Sequence, residues 1–134
     1  MKKVSIIILV LSILFLIPVW AYADMVEGSV QGFTCVTQGK ICPVGKEDPM
    51  AAVENVFVIL TKGGDYYFVP NLDGSVLARH INDQVRVIGR ISPKYPSIIA
   101  DKIEVLHKGA WKSAWRYNWQ RKFYVELYGG VDLP

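Results

Sequence analysis

Apolar and polar residues alternate most clearly over residues 84–91, which predicts a strand with one buried face. Other apolar, β-branched runs are separated by glycines, prolines and charged residues, and they predict further strands. Residues 62–65 contain two glycines and predict a hairpin turn between the second and third of these strands. The predicted strands cover residues 26–36, 53–61, 66–69, 84–91 and 97–106.

A short helix is predicted over residues 75–81, between the third and fourth strands. Ser75 is a suitable N-cap, and the apolar residues that follow it recur at helical spacing. Gly28 and Gly32 predict a bend in the first strand. The order of three strands, a helix and two strands is typical of the OB-fold, a small five-stranded Greek-key barrel. We therefore predict an all-β protein with an OB-fold-like barrel over residues 24–107.

Residues 108–134 have a different composition and are predicted to form an extension of this barrel. Aromatic residues recur there every four positions, which on a helix would place them on one stripe, although the chain from Phe123 onward would also suit a short strand. The stripe consists of Trp111, Trp115, Trp119 and Phe123. The interleaved basic residues are Lys108, Lys112, Arg116, Arg121 and Lys122.

Three explanations compete for this aromatic tail. Residues 56–60 are apolar on both faces, so the tail is predicted to pack over the second strand. Contact with a membrane surface is the second explanation. Ligand binding is the third, with Tyr66 and Phe68 on the same surface while at least one residue of 66–68 points into the core. The candidate contacts in the tail are Trp111, Lys112, Trp115, Arg116, Trp119, Arg121 and Lys122.

The N-terminus predicts export. Two lysines precede an apolar run that ends at Pro18, and Ala21 and Ala23 suit a signal peptidase, so residues 1–23 are predicted to be a cleaved signal peptide. An uncleaved membrane anchor is the alternative. Removal of 23 of the 134 residues leaves 111, which suits a single domain. The predicted location is the periplasm or the cell exterior.

Export changes how the two cysteines and the charge are interpreted. Cys35 and Cys42 predict a structural disulfide in an oxidising compartment, because six residues separate them and a redox-active pair usually has two. The net charge of +3 falls to +1 without Lys2 and Lys3, which disfavours nucleic acid as a partner. The expected partner is a small molecule, a glycan, an envelope protein or a membrane surface.

No motif for nucleophilic, metal-dependent or phosphate chemistry is present, so we predict a non-enzymatic binding protein without a metal. The second half resembles the small periplasmic bacterial OB-fold proteins described as stress-induced. That resemblance implies a binding module. It rests on Asp83, Val85, Val87, Gly89, Ile91, Lys94, Tyr95, Ser97, Asp101 and Ile103.

A weaker resemblance concerns the only cofactor considered. The haem chaperone of cytochrome c maturation is also an extracytoplasmic OB-fold, and it carries a haem-attaching histidine just after its last strand. His107 lies at a similar place here, and the aromatic residue four positions later is Trp111 rather than the family's tyrosine. This resemblance implies haem handling through His107 as an alternative function.

Overall fold

The computed structural model of the protein describes residues 23–43 and 53–129. The predicted signal peptide lies outside these residues, apart from Ala23. The described elements are β1 (Asp24–Gly32), α1 (Phe33–Thr37), β2 (Phe57–Leu60), β3 (Tyr66–Phe68), α2 (Gly74–Ala78), β4 (Gln84–Ile91), β5 (Ile98–His107), β6 (Ala110–Arg116) and α3 (Tyr117–Tyr128).

The strands form one antiparallel sheet in the order β3-β2-β1-β4-β5-β6, which confirms the all-β class. β4 has the predicted bounds, and α2 overlaps the helix predicted over residues 75–81 but begins and ends earlier. A parallel bridge also joins Phe68, at the end of β3, to Ser97, just before β5. The Phe68 amide donates to the Pro96 carbonyl at 2.8 Å, so two strands that are distant in the sheet order meet at their ends.

The hydrophobic core lies on one face of this sheet. Val85 and Val87 on β4 are fully buried, whereas Arg86 and Ile88 point to the other face and are half-buried. Leu77 joins the core from α2. Strand alternation therefore determines which side chains are buried. The core consists of Val26, Val30, Phe57, Ile59, Val69, Leu77, Val85, Val87, Ile98, Ala100, Ile103, Val105 and Trp115.

The first predicted strand is too long at its C-terminal end. β1 ends at Gly32, and Phe33–Thr37 forms the short helix α1. The Glu54 carboxylate accepts the Thr34 amide at 2.8 Å and so supplies the cap that Gly32 lacks. A contact from a distant part of the chain thus stabilises a helix in a segment whose β-branched residues favour a strand.

The second predicted strand is also shortened, to Phe57–Leu60. Its residues are buried on both faces, as the apolar run predicts, because Phe57, Val58 and Ile59 are all buried at successive positions. The expected cover was the aromatic tail. Instead α1 packs against β2, while the C-terminal helix α3 packs against β5 and β6.

The prediction of a single helical aromatic stripe is wrong. Trp111 and Trp115 lie on the sixth strand, β6, and only Trp119 and Phe123 lie on α3, which continues as helix beyond Phe123. Lys108 and Gly109 both have positive φ, at 51° and 79°, which is the type I′ geometry of a tight hairpin joining β5 to β6.

A bulge then separates the two tryptophans. Ile103 is paired with Trp115, but Glu104 is paired with Ser113, so Ala114 is an extra residue on β6. Trp115 therefore enters the core at 7% exposure. Trp111 lies on the opposite face, where the Arg86 guanidinium carbon is 4.2 Å from its ring centroid.

Candidate functional site

Three aromatic rings meet on the outer face of β2 and β3, and we call Phe33, Tyr66 and Phe68 the aromatic cluster. Their ring centroids are 5.2 to 5.7 Å apart, and all three side chains are half-buried. Tyr66 is paired with Leu60, and Phe68 with Val58, so the two rings are on one face. Tyr67 packs against the core instead, which confirms that one of these three residues points inward.

Phe33 reaches the cluster because α1 follows β1 without a linker. The Phe33 amide donates to the Val56 carbonyl at 2.9 Å, which ties the start of α1 to the entrance of β2. The Glu54 carboxylate accepts the amides of Thr34 and Val56, and so also joins the start of α1 to the entrance of β2. Burial opposes ionisation of Glu54, but these amide donors outweigh it and lower the pKa of the carboxyl below its ordinary value. These hydrogen bonds therefore favour the charged form of Glu54.

The cysteine-containing segment is held against β1 by two amide side chains. The buried Gln31 side chain accepts the Cys42 amide at 2.8 Å and donates to Asn82 at 2.9 Å. Asn82 in turn donates to the Cys42 carbonyl at 3.0 Å. Both backbone groups of Cys42 are thus satisfied by side chains, so Gln31 and Asn82 fix the segment that follows α1.

Cys35 and Cys42 are both buried, and their Sγ atoms lie 3.1 Å apart. That distance exceeds the roughly 2.05 Å of a disulfide bond. The structure therefore brings the predicted pair together without joining it, and the disulfide remains a prediction. The Gly32 amide also donates to Cys42 Sγ, at 3.2 Å.

We expect oxidation of Cys35 and Cys42 to raise the free energy of unfolding by about 2.5 kcal/mol, because closing so short a loop removes entropy from the unfolded chain. Urea unfolding of the oxidised and the reduced protein measures this difference. The Cys35→Ser/Cys42→Ser variant is the control and should respond to neither reagent. Equal stability of the two redox forms, or two free thiols by mass spectrometry in protein purified without reductant, would contradict the prediction.

The loop between β4 and β5 borders the aromatic cluster through the bond from Phe68 to Pro96. It carries Tyr95, which is 61% exposed, and the Lys94 Nζ atom lies 5.2 Å from the Tyr95 ring centroid. Aromatic rings can stack on a ring-shaped ligand, and a lysine on a neighbouring loop can pair with an anionic or hydroxyl substituent. Within the described residues, no group of three or more His, Cys, Asp or Glu could hold a metal.

The structure separates the remaining predicted site residues from this cluster. Trp111 and Lys112 lie on β6 with the buried Trp115, at the other end of the strand order from β3. Arg86 lies over Trp111 and pairs with Glu27 at 3.3 Å and with Glu104 at 3.8 Å. Trp111 is therefore half-buried beneath Arg86, and Glu27 and Glu104 pair with the Arg86 guanidinium. Arg116 ends β6, and Trp119, Arg121 and Lys122 are exposed on α3.

His107 is exposed at the end of β5. It is paired with Ala110, whereas the neighbouring Leu106 is paired with Trp111. Because successive strand residues point to opposite faces, His107 and Trp111 do not face one common ligand position. The register therefore does not bring together the two residues on which the haem resemblance rests.

Sequence reasoning missed three residues that build the site: Phe33, Gln31 and Glu54. Phe33 and Gln31 fall within the predicted first strand, and Glu54 within the predicted second. A glycine directly before Phe33 was the only local signal for the end of β1. The roles of Gln31 and Glu54 depend on contacts across more than ten residues of sequence, with Cys42 and Thr34 respectively.

Comparisons with protein families, with curated proteins and with solved structures each found no match to this chain. In the part of the chain that the structure describes, none of the helices has the length and apolar character needed to cross a membrane.

Proposed function

We propose that this protein is an exported, non-enzymatic binding module of the OB-fold type. The strand order β3-β2-β1-β4-β5 supports this proposal, as does the parallel bridge that returns the end of β3 to the start of β5. One bridge and one backbone hydrogen bond link the end of β3 to the segment before β5, and α2 lies between β3 and β4 in the chain, the position of the helix in an OB-fold. In this view β6 is a strand added to the barrel.

The proposed ligand face is the outer face of β2 and β3, with the aromatic cluster at its centre. OB-folds bind oligosaccharides and oligonucleotides on this face, between the β1–β2 and β4–β5 connections. Here α1 comes from the first connection, and Lys94 and Tyr95 come from the second. The observation that carries the proposal is the contact of three half-buried rings on the outer face, where an ordinary barrel would carry polar residues.

A glycan is the ligand class that fits this face best. Aromatic rings stack on the apolar faces of sugars, and Lys94 offers a hydrogen-bond donor on the β4–β5 loop, next to the Tyr95 ring. Export, which the N-terminal sequence predicts, removes nucleic acid as the competing OB-fold ligand. The same ring arrangement would stack on bases, so single-stranded DNA is the comparison ligand.

Tyr66→Leu is expected to weaken glycan binding about fivefold or more. Leucine retains apolar volume against the sheet but removes the ring, and stacking on one aromatic side chain contributes about 1–3 kcal/mol when the ligand is a base. The hexamer of β-1,4-linked N-acetylglucosamine is a suitable probe, with affinity measured by titration calorimetry.

Trp119→Leu is the matched control, since it removes an exposed ring from α3, outside the ligand face. It should bind the hexamer as the wild type does. Equal affinity of the Tyr66→Leu variant and the wild type would refute the proposed ligand face. Binding of single-stranded DNA but not of the hexamer would refute the glycan assignment.

A further inference from the structure

The helix α3 carries an apolar stripe that the sheet does not use. Trp119, Phe123 and Leu127 recur every four residues along it, and they are 51%, 59% and 56% exposed. Among the α3 side chains that the structure describes, Gln120 and Tyr124 are half-buried and mark the side nearest the rest of the protein. The stripe lies beside that side and is open to solvent, so core packing does not account for it.

Charge is distributed unevenly between the barrel and the tail. Residues 24–107 contain eight lysines and arginines against ten acidic residues, whereas residues 108–134 contain five against two. The net charge of residues 24–134 is therefore close to zero, although the tail is basic and the barrel is acidic. Arg116 lies at the start of the stripe, with its guanidinium carbon 5.5 Å from the Trp119 ring centroid. Lys122 is 77% exposed and pairs with Glu126 at 3.8 Å.

The geometry points to α3 as a surface anchor that lies flat on an anionic lipid membrane. Exposed tryptophan and phenylalanine beside cations is the composition of helices that bind at the lipid headgroup level. Twelve residues span only about 18 Å, too short for the roughly 30 Å hydrocarbon core, so the helix would lie in the interface. The basic charge selects an anionic lipid surface over a neutral one.

Hydrogen–deuterium exchange with vesicles tests this inference on the protein in its naturally processed form. Two kinds of vesicle are compared: phosphatidylcholine alone, and a mixture with about one third phosphatidylglycerol. We expect slower exchange in peptides covering residues 117–128 with the anionic vesicles only, and loss of this protection at high salt. Slower exchange confined to residues 117–128 reports contact of α3 itself with the vesicle, so attachment through an N-terminal anchor would not produce it.

Phe123→Ser/Leu127→Ser is expected to weaken vesicle binding through α3 by tenfold or more, since both side chains would lose their apolar environment in the interface. Val125→Ser is the matched control, because Val125 is also an exposed apolar residue of α3, at 48%, but lies off the stripe. Arg116→Glu/Lys122→Glu should weaken binding about fivefold or more for each charge removed.

Three results would overturn the inference. The first is unchanged exchange over residues 117–128 with anionic vesicles. The second is protection of these residues that rises with protein concentration without lipid and disappears in Phe123→Ser/Leu127→Ser, which would show that the stripe binds a second copy of the chain. An effect of Val125→Ser equal to that of the stripe variant would also contradict it, because the stripe would then have no special role.

Discussion

Replacement of Gly89 by alanine is expected to lower the free energy of unfolding by at least about 3 kcal/mol. A Cβ atom at this position would lie 1.9 Å from the Ile99 carbonyl oxygen and 2.9 Å from its carbon. These are backbone atoms of the paired strand β5, so they cannot move aside as a flexible side chain would. The register of β4 and β5 also shifts between Ile88 and Gly89, so the strands meet closely at an irregular point.

Gly63→Ala is the matched control for this effect. Its Cβ atom would have no neighbour closer than 3.8 Å in the turn between β2 and β3, so we expect a change within about 0.5 kcal/mol. Urea unfolding of the two variants and the wild type measures both values. Gly89→Ala with a stability close to that of Gly63→Ala would show that β5 can move away from β4, contrary to the close backbone contact between Gly89 and Ile99.

Gln31→Ala is expected to lower the free energy of unfolding by about 2–4 kcal/mol, which is the second large effect that we predict. The Gln31 side chain is 1% exposed and bonds to Ser29, Asn82 and the Cys42 amide. Alanine would leave the buried Cys42 amide without its acceptor and would open a cavity between β1 and the cysteine segment. Amide exchange over residues 33–43 should accelerate together with the loss of stability, because Gln31 holds this segment against β1.

Gln38→Ala is the control for the loss of a glutamine side chain, since Gln38 is exposed just after α1. Its free energy of unfolding should lie within about 0.5 kcal/mol of the wild-type value. All three proteins are compared with the cysteines reduced, so that a disulfide does not hold the segment in place. Stability of Gln31→Ala equal to that of Gln38→Ala would mean that the cysteine segment does not depend on Gln31.

The elements that were predicted correctly are those whose signal is local. β4 has the predicted bounds because its alternation continues without interruption, and the turn after β2 contains the two glycines expected there. α2 forms where it is predicted, but its N-cap is Asp73 rather than Ser75, because the Asp73 carboxylate accepts the Ser75 amide at 2.8 Å. The Ser75 hydroxyl and amide lower the pKa of this carboxyl. In each case the deciding residues are neighbours in the chain.

The elements that were predicted wrongly depend on distant contacts. Phe33–Thr37 has residues that favour a strand, yet Glu54 caps it as a helix. The four-residue spacing of Trp111, Trp115 and Trp119 suits a helix and is also an even number of strand positions. Pairing with β5 makes Trp111 and Trp115 strand residues. Because Ala114 is an extra residue between their paired positions, the two side chains lie on opposite faces. None of these pairings has a signature in the local pattern.

The sequence by itself determined the β class, the alternating core of β4 and β5 and the aromatic character of β3, since these follow from short-range periodicity and composition. Only the tertiary structure decided which aromatic residues meet. It placed Phe33 beside Tyr66 and Phe68, buried Trp115, covered Trp111 with Arg86 and left Trp119 and Phe123 exposed. The physical reason is that register, bulges and caps across distant segments determine which face a side chain occupies, and a change of one residue in register reverses it.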